Sequence, residues 1–127
     1  MSYDLYFWRP QGDLSESPSS ILDRVGEEGD HEGLTWLSVS ELKARFVRAF
    51  PTIKDCGTYL LWDDEKGSFF VDWIVGSKPQ HTFVFFVECS WSLPKHPEIL
   101  DRITQIPNEM GCGIYDPQED NWQEPTT

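Results

Sequence analysis

The stretch TYLLWDDEKGSFFVDWIVGSKPQHTFVFFVEC, residues 58–89, decides the fold. Within it Phe69, Val71, Trp73 and Val75 alternate with Phe70, Asp72 and Ile74. A period of two belongs to strands, because successive side chains point to opposite faces of a sheet. Two polar breaks divide the stretch, Asp63-Asp64-Glu65-Lys66-Gly67 and Gly76-Ser77-Lys78-Pro79-Gln80. Three strands are therefore expected, Thr58–Trp62, Ser68–Val75 and Thr82–Cys89, and their short connections favour antiparallel neighbours. The third contains the unbroken apolar run Phe83 to Val87. It belongs in the centre of the sheet.

Upstream, Tyr3/Leu5/Phe7 alternate with Asp4/Tyr6/Trp8, and five of these six are aromatic or aliphatic. An opening strand buried on at least one face follows, ended by Arg9-Pro10-Gln11-Gly12. Ser17-Pro18 supplies a cap and a first-turn proline for a helix over Pro18–Val25, with Gly26 as its stop. The segment from Glu27 to Gly33 is acidic and glycine-rich, and reads as a loop. Ser38 and Glu41 offer a capping box for a second helix, whose buried stripe is Leu42, Phe46, Ala49 and Phe50. Pro51 ends it.

Downstream, Pro97 opens a last helix with Ile99, Leu100, Ile103, Ile106 and Met110 facing inward. Pro107 should kink or shorten it. Gly111 sits where a left-handed cap belongs, and a short strand over Cys112–Tyr115 follows. The resulting order is β-(α)-α-β-β-β-α-β. It predicts an α+β two-layer sandwich, a mostly antiparallel sheet with helices on one face. The first and last strands could both join that sheet in a ferredoxin-like manner. Residues 1–117 are read as one domain. Residues 118–127, polar except for Trp122, are read as a C-terminal tail that frays.

The charge balance bounds the partners. Twenty-two acidic against ten basic residues give −12 on 127 residues, while 14% of the chain is aromatic. A disordered acidic tail would lack those rings, so the carboxylates coat a folded surface. Such a field draws cationic partners and repels nucleic acid and anionic lipid. No segment approaches the roughly 18 apolar residues of a membrane span. The N-terminal residues show no basic or apolar export signal. Three unpaired cysteines fit a reduced, cytoplasmic chain.

Catalytic constellations are sparse. Cys89 falls on a buried strand and reads as a small apolar side chain. Cys56 and Cys112, each with a nearby histidine, are the only thiols that could carry an enzymatic reading. Asp63 begins no calcium loop, since the twelfth position would be Ile74. Asp30-His31-Glu32 lacks the spaced ligands that zinc needs. Gly111-Cys112-Gly113 follows a helix, so its donors face away from any phosphate. No cofactor or metal is expected, and the reading is non-enzymatic.

Acidic loops beside aromatic anchors are the remaining candidates for a partner-binding site. They are Glu27, Glu28, Asp30, Glu32, Asp63, Asp64 and Glu65, with Trp36 and Trp91, which lie in or beside loops, as the aromatic anchors. Aromatic side chains anchor protein interfaces, and complementary charge speeds the encounter. The oligomeric state is open.

Two stretches carry a resemblance. Met1-Ser2-Tyr3-Asp4-Leu5-Tyr6-Phe7-Trp8 and Gly111-Cys112-Gly113-Ile114-Tyr115-Asp116-Pro117-Gln118 resemble the beginning and end of a group of small, mostly uncharacterised bacterial cytoplasmic proteins. Some chains of this size and acidity look like immunity proteins that neutralise bacterial toxins. The resemblance implies an inhibitor that occludes the active site of a basic toxin, such as a nuclease. It implies no catalytic residue. The alternative is a generic cytoplasmic interaction domain without a toxin partner.

Overall fold

The computed structural model describes residues 3–125, so Met1 and Ser2 of the first motif and the last two residues of the tail lie outside it. Strand β1 (Tyr3–Pro10) leads to helix α1 (Pro18–Glu28), the short strands β2 (Leu34–Thr35) and β3 (Leu37–Ser38), and helix α2 (Val39–Ala49). Strands β4 (Lys54–Asp55), β5 (Leu60–Asp64), β6 (Gly67–Trp73), β7 (His81–Thr82) and β8 (Phe85–Cys89) follow. A short 3₁₀ turn then precedes helix α3 (Pro97–Glu109) and strands β9 (Gly113–Asp116) and β10 (Asn121–Gln123).

The chain is α+β. Seven strands line up as β10-β9-β1-β8-β6-β5-β4, with β2 paired to β1 off that path. The pairings are antiparallel, and β8 lies between β1 and β6. Strand β9 pairs with the other edge of β1, so the first strand and the strand after α3 both join the sheet, and β10 adds a further strand beyond β9. Thr82 does not extend β8 as the sequence suggests. It pairs with Leu37 in a separate two-stranded ribbon. Its Oγ1 lies 2.8 Å from both Ile74 O and Val84 O, capping the bend between the two strands.

The principal core lies between the sheet and two helices. Leu5, Phe7, Val71, Phe85 and Val87 meet Leu42 and Phe46 of α2 and Ile99 and Ile103 of α3. These are the odd positions of each strand, so one face supplies them all. The expectation of helices on one face holds for α2 and α3 but not for α1. Ile21 and Val25 of α1 pack with Trp8, Leu34, Val84 and Tyr115, on the opposite face of β1. The reason is local: Trp8 follows Phe7, so the pleat turns it away from the principal core, and so large a ring needs its own cover.

Helix boundaries show which signals prevailed. Gly26 does not stop α1; it is accommodated within it, and Gly29 at φ 81° closes the helix with its N–H bonded to Val25 O at 2.7 Å. Ser38 caps α2 as expected, its Oγ accepting from the Glu41 amide at 3.3 Å. The Glu41 carboxylate instead accepts from Arg45, one turn along. Helix α3 runs past Pro107 to Glu109, because a proline so near the end removes one donor and leaves the last turn intact. Gly111 then takes the left-handed conformation, φ 76°.

The expected fraying tail is corrected by β10. Trp122 stacks on Trp8 with centroids 4.7 Å apart and planes 9° apart, and Asn121–Gln123 pair with Ile114–Asp116. One apolar ring in a polar segment suffices, because it finds a buried partner.

The two resembling stretches are neighbours in space. Tyr6, Phe7 and Trp8 pair with Tyr115, Ile114 and Gly113. Gln118 also clamps β1: its Oε1 accepts from Asp4 N, and its Nε2 donates to Asp4 O, both at 2.8 Å. Buried Asp116 accepts from Tyr3 Oη at 3.1 Å and from Gln118 N at 3.0 Å. Burial first, then the bond to Asp116, pushes the Tyr3 hydroxyl up to about 12. These residues have a structural reason to occur together.

Candidate functional site

The acidic segment after α1 and Trp36 line one open groove of about 690 Å³. Glu28, Asp30, Glu32, His31 and Trp36 all contribute to its wall. Four of the residues singled out from sequence therefore meet. Glu27 is exposed beside them on the last turn of α1. Glu27 and Glu28 thus sit at a helix C-terminus, where the macrodipole disfavours carboxylates by about 0.3–1 kcal/mol each. That turn carries no basic residue to offset them.

The floor of this region is an ordered charge network. His31 is 3% exposed. Its Nδ1 accepts from Gly33 N–H at 2.9 Å, so the ring proton sits on Nε2 and faces Glu16 Oε1 at 2.9 Å. Arg24 spans Glu16 and Glu32 at 2.8 and 2.6 Å. Bonds from Ser20, then His31 and Arg24, hold the Glu16 carboxyl below its usual range. Arg24 does the same for Glu32, and Ser77 for Asp30. Asp30 and Glu32 are accordingly held by bonds within the chain, although the Glu32 side chain is largely exposed, as are Glu28 and Trp36. Trp36 is 46% exposed, held flat on His81 at 3.6 Å between centroids, its carbonyl fixed by Arg9.

His31 is the keystone of that floor. His31→Ala removes the acceptor of a constrained amide and empties a buried position. It is expected to cost about 1–3 kcal/mol in urea unfolding. An unchanged midpoint would show that Arg24 alone holds the loop.

The second set of singled-out residues lies elsewhere. Asp63, Asp64 and Glu65 are exposed at the β5–β6 hairpin, where Asp64 Oδ1 accepts from Lys66 N at 2.7 Å. Trp91, also half-exposed, follows β8 at that same end of the sheet and packs edge-on to Tyr3 at 6.4 Å. From Gly67 to Trp73, the length of β6, the chain advances about 20 Å at ~3.3 Å per residue. The hairpin set and the groove set therefore occupy opposite ends of β6.

A third acidic surface was not singled out from sequence. Asp4, Glu88 and Asp72 share the sheet face opposite the principal core, among Tyr6, Phe86 and Phe70. The available signal was charge at alternating positions of strands that are otherwise apolar.

The thiols divide by burial. Cys89 and Cys112 are buried and pushed up to about 12, chiefly by desolvation, so both are protonated at neutral pH. Cys56 is exposed. Among the described residues, no group of three or more His, Cys, Asp or Glu is placed to hold a metal ion, and no helix is long and apolar enough to cross a membrane. No family model matches the chain, and no curated protein or solved structure shows significant similarity to it.

Proposed function

We propose that this is a non-enzymatic inhibitor of the immunity type, a cytoplasmic protein that neutralises a cognate bacterial toxin by covering its basic active-site surface. One observation supports the reading above the others. An exposed tryptophan, pinned flat by His81, stands in the same groove as an acidic helix end and acidic loop. A rigid aromatic anchor beside carboxylates is the anatomy of an interface hot spot with electrostatic steering. The net charge of −12 extends that steering over the molecule. Glu28 and Glu27 would meet cationic side chains of the toxin that otherwise hold phosphates, and Trp36 would fill a pocket between them.

Toxin domains encoded beside the gene, purified in inactive form, provide the test by titration calorimetry. Trp36→Ala is expected to weaken binding about 30-fold, the effect of losing an anchor worth ~2 kcal/mol. Glu28→Lys is expected to slow association and flatten its dependence on salt. Binding that both variants leave unchanged would remove the groove from the contact, and absence of binding by every such toxin would overturn the inhibitor reading.

A further inference from the structure

Among the described residues, no helix packs over much of one sheet face. Leu5, Phe7, Val71, Val87 and their row neighbours face α2 and α3, so the intervening residues point the other way. Helix α1 covers that reverse face only around Trp8. Beyond it, Phe70, Phe86 and Leu61 belong to neither core.

The strand register arranges this surface as a grid. Asp4, Glu88, Phe70, Leu61 and Lys54 stand side by side across β1, β8, β6, β5 and β4. Tyr6, Phe86 and Asp72 form the next row. Phe70 is 42% exposed and Tyr59 38% exposed, meeting edge to face at 6.1 Å, and Tyr6 lies 5.2 Å from Phe86. Tyr59, Leu61, Phe70, Asp72 and Glu88 border a shallow hollow of about 280 Å³.

Carboxylates stand close together at the centre of this face. Asp4 is directly opposite Glu88, and like charges in that position destabilise a strand pair. Burial first, then Asp4 and Asp72, raises the Glu88 carboxyl above its usual range. The sign follows: a raised carboxyl contributes most stability at low pH and loses it as pH rises through its folded-state value. Lys54 shares the row of Leu61 but lies three strands from Glu88, on β4, so the centre of the face around Glu88 and Asp72 is acidic. A guanidinium suits it, since it pairs with carboxylates and also lies flat on aromatic rings.

The shape selects the class of partner. Small ligands are enclosed in concave pockets, whereas this face is broad, shallow and aromatic with a charged rim, as protein interfaces are. A second copy of the chain would set carboxylates against carboxylates. We propose that the open sheet face centred on Phe70, Phe86 and Glu88 is a docking surface for a protein segment that presents arginine between apolar side chains. This surface is separate from the groove at Trp36, and the inference does not rest on the toxin reading.

The full chain, isotopically labelled, should be titrated at physiological salt with the capped peptide Ala-Trp-Arg-Leu-Arg, following backbone amide shifts. Saturable shifts confined to Phe70, Asp72, Phe86 and Glu88 are expected. The Glu88→Gln/Asp72→Asn variant should bind at least about tenfold more weakly, and the lysine version of the peptide should bind less well than the arginine one. Glu88→Gln alone should fold at least as stably as the parent at neutral pH and provides the second variant. Shifts centred on Trp36 and Glu28, unsaturable shifts over the whole surface, or equal binding by the double variant would each overturn the proposal. So would a dimer in sedimentation equilibrium that Glu88→Gln does not alter and whose contacts map to this face.

Discussion

Trp8→Ala is expected to lower the unfolding free energy by about 3–5 kcal/mol, the cost of truncating a fully buried large aromatic side chain. Trp8 is 1% exposed and lies against three elements at once. It stacks on Trp122 at 4.7 Å, meets Tyr115 at 6.1 Å, and supports Ile21 and Val25 of α1. Its cluster is the smaller of the two cores, with few neighbours able to collapse into the space. A protein of this size has about 5–15 kcal/mol in all, so the loss takes a large share. The damage should also be localised. Helix α1 and β10 should lose amide protection before α2 and α3, whose contacts are on the other face. Urea unfolding with hydrogen exchange would show both effects, and Trp8→Phe should recover part of the loss. Uniform loss of protection across the chain would mean the two cores melt as one.

Gly113→Ala is expected to detach β10. A β-carbon at Gly113 would sit 2.2 Å from Cη2 of Trp122 and 2.7 Å from the Gln123 carbonyl oxygen. The first neighbour is a ring held in a stack, and the second is backbone of the paired strand. Neither gives way without separating the strands. Overpacking of this kind costs about 1–3 kcal/mol, and the lost aromatic pair adds about 0.5–1.5 kcal/mol. Trp122 should become solvent-exposed, with a red-shifted emission, and the β10 amides should lose protection. Unchanged β10 protection would show that β9 shifts as a unit instead.

The groove and the sheet grid were legible to different degrees. Glu28, Asp30, Glu32 and Trp36 could be gathered from sequence because they lie within nine positions of one another. That Asp30 and Glu32 are engaged by Ser77 and Arg24 was not legible, since the partner of Asp30 comes from the far end of β6. Asp63, Asp64 and Glu65 looked equivalent to the first set, yet the length of β6 keeps them apart. The Asp4–Glu88–Phe70 row was hidden for a related reason. Its members are separated by up to 84 positions in sequence and meet only through strand order.

Period-two alternation from Phe69 to Val75, the Ser38 cap and the apolar run at Phe83–Val87 were enough, unaided, to specify an α+β chain with β8 at its centre. Those features are local, because the pleat and the helical turn act on residues a few positions apart. Tertiary structure alone decided where the remaining apolar surface found cover. Trp8 drew α1 to the reverse face and Trp122 drew the polar C-terminal segment into the sheet, because a buried ring is stabilised by whichever element can reach it. The same requirement, unmet over Phe70 and Phe86, leaves an acidic aromatic face turned to solvent.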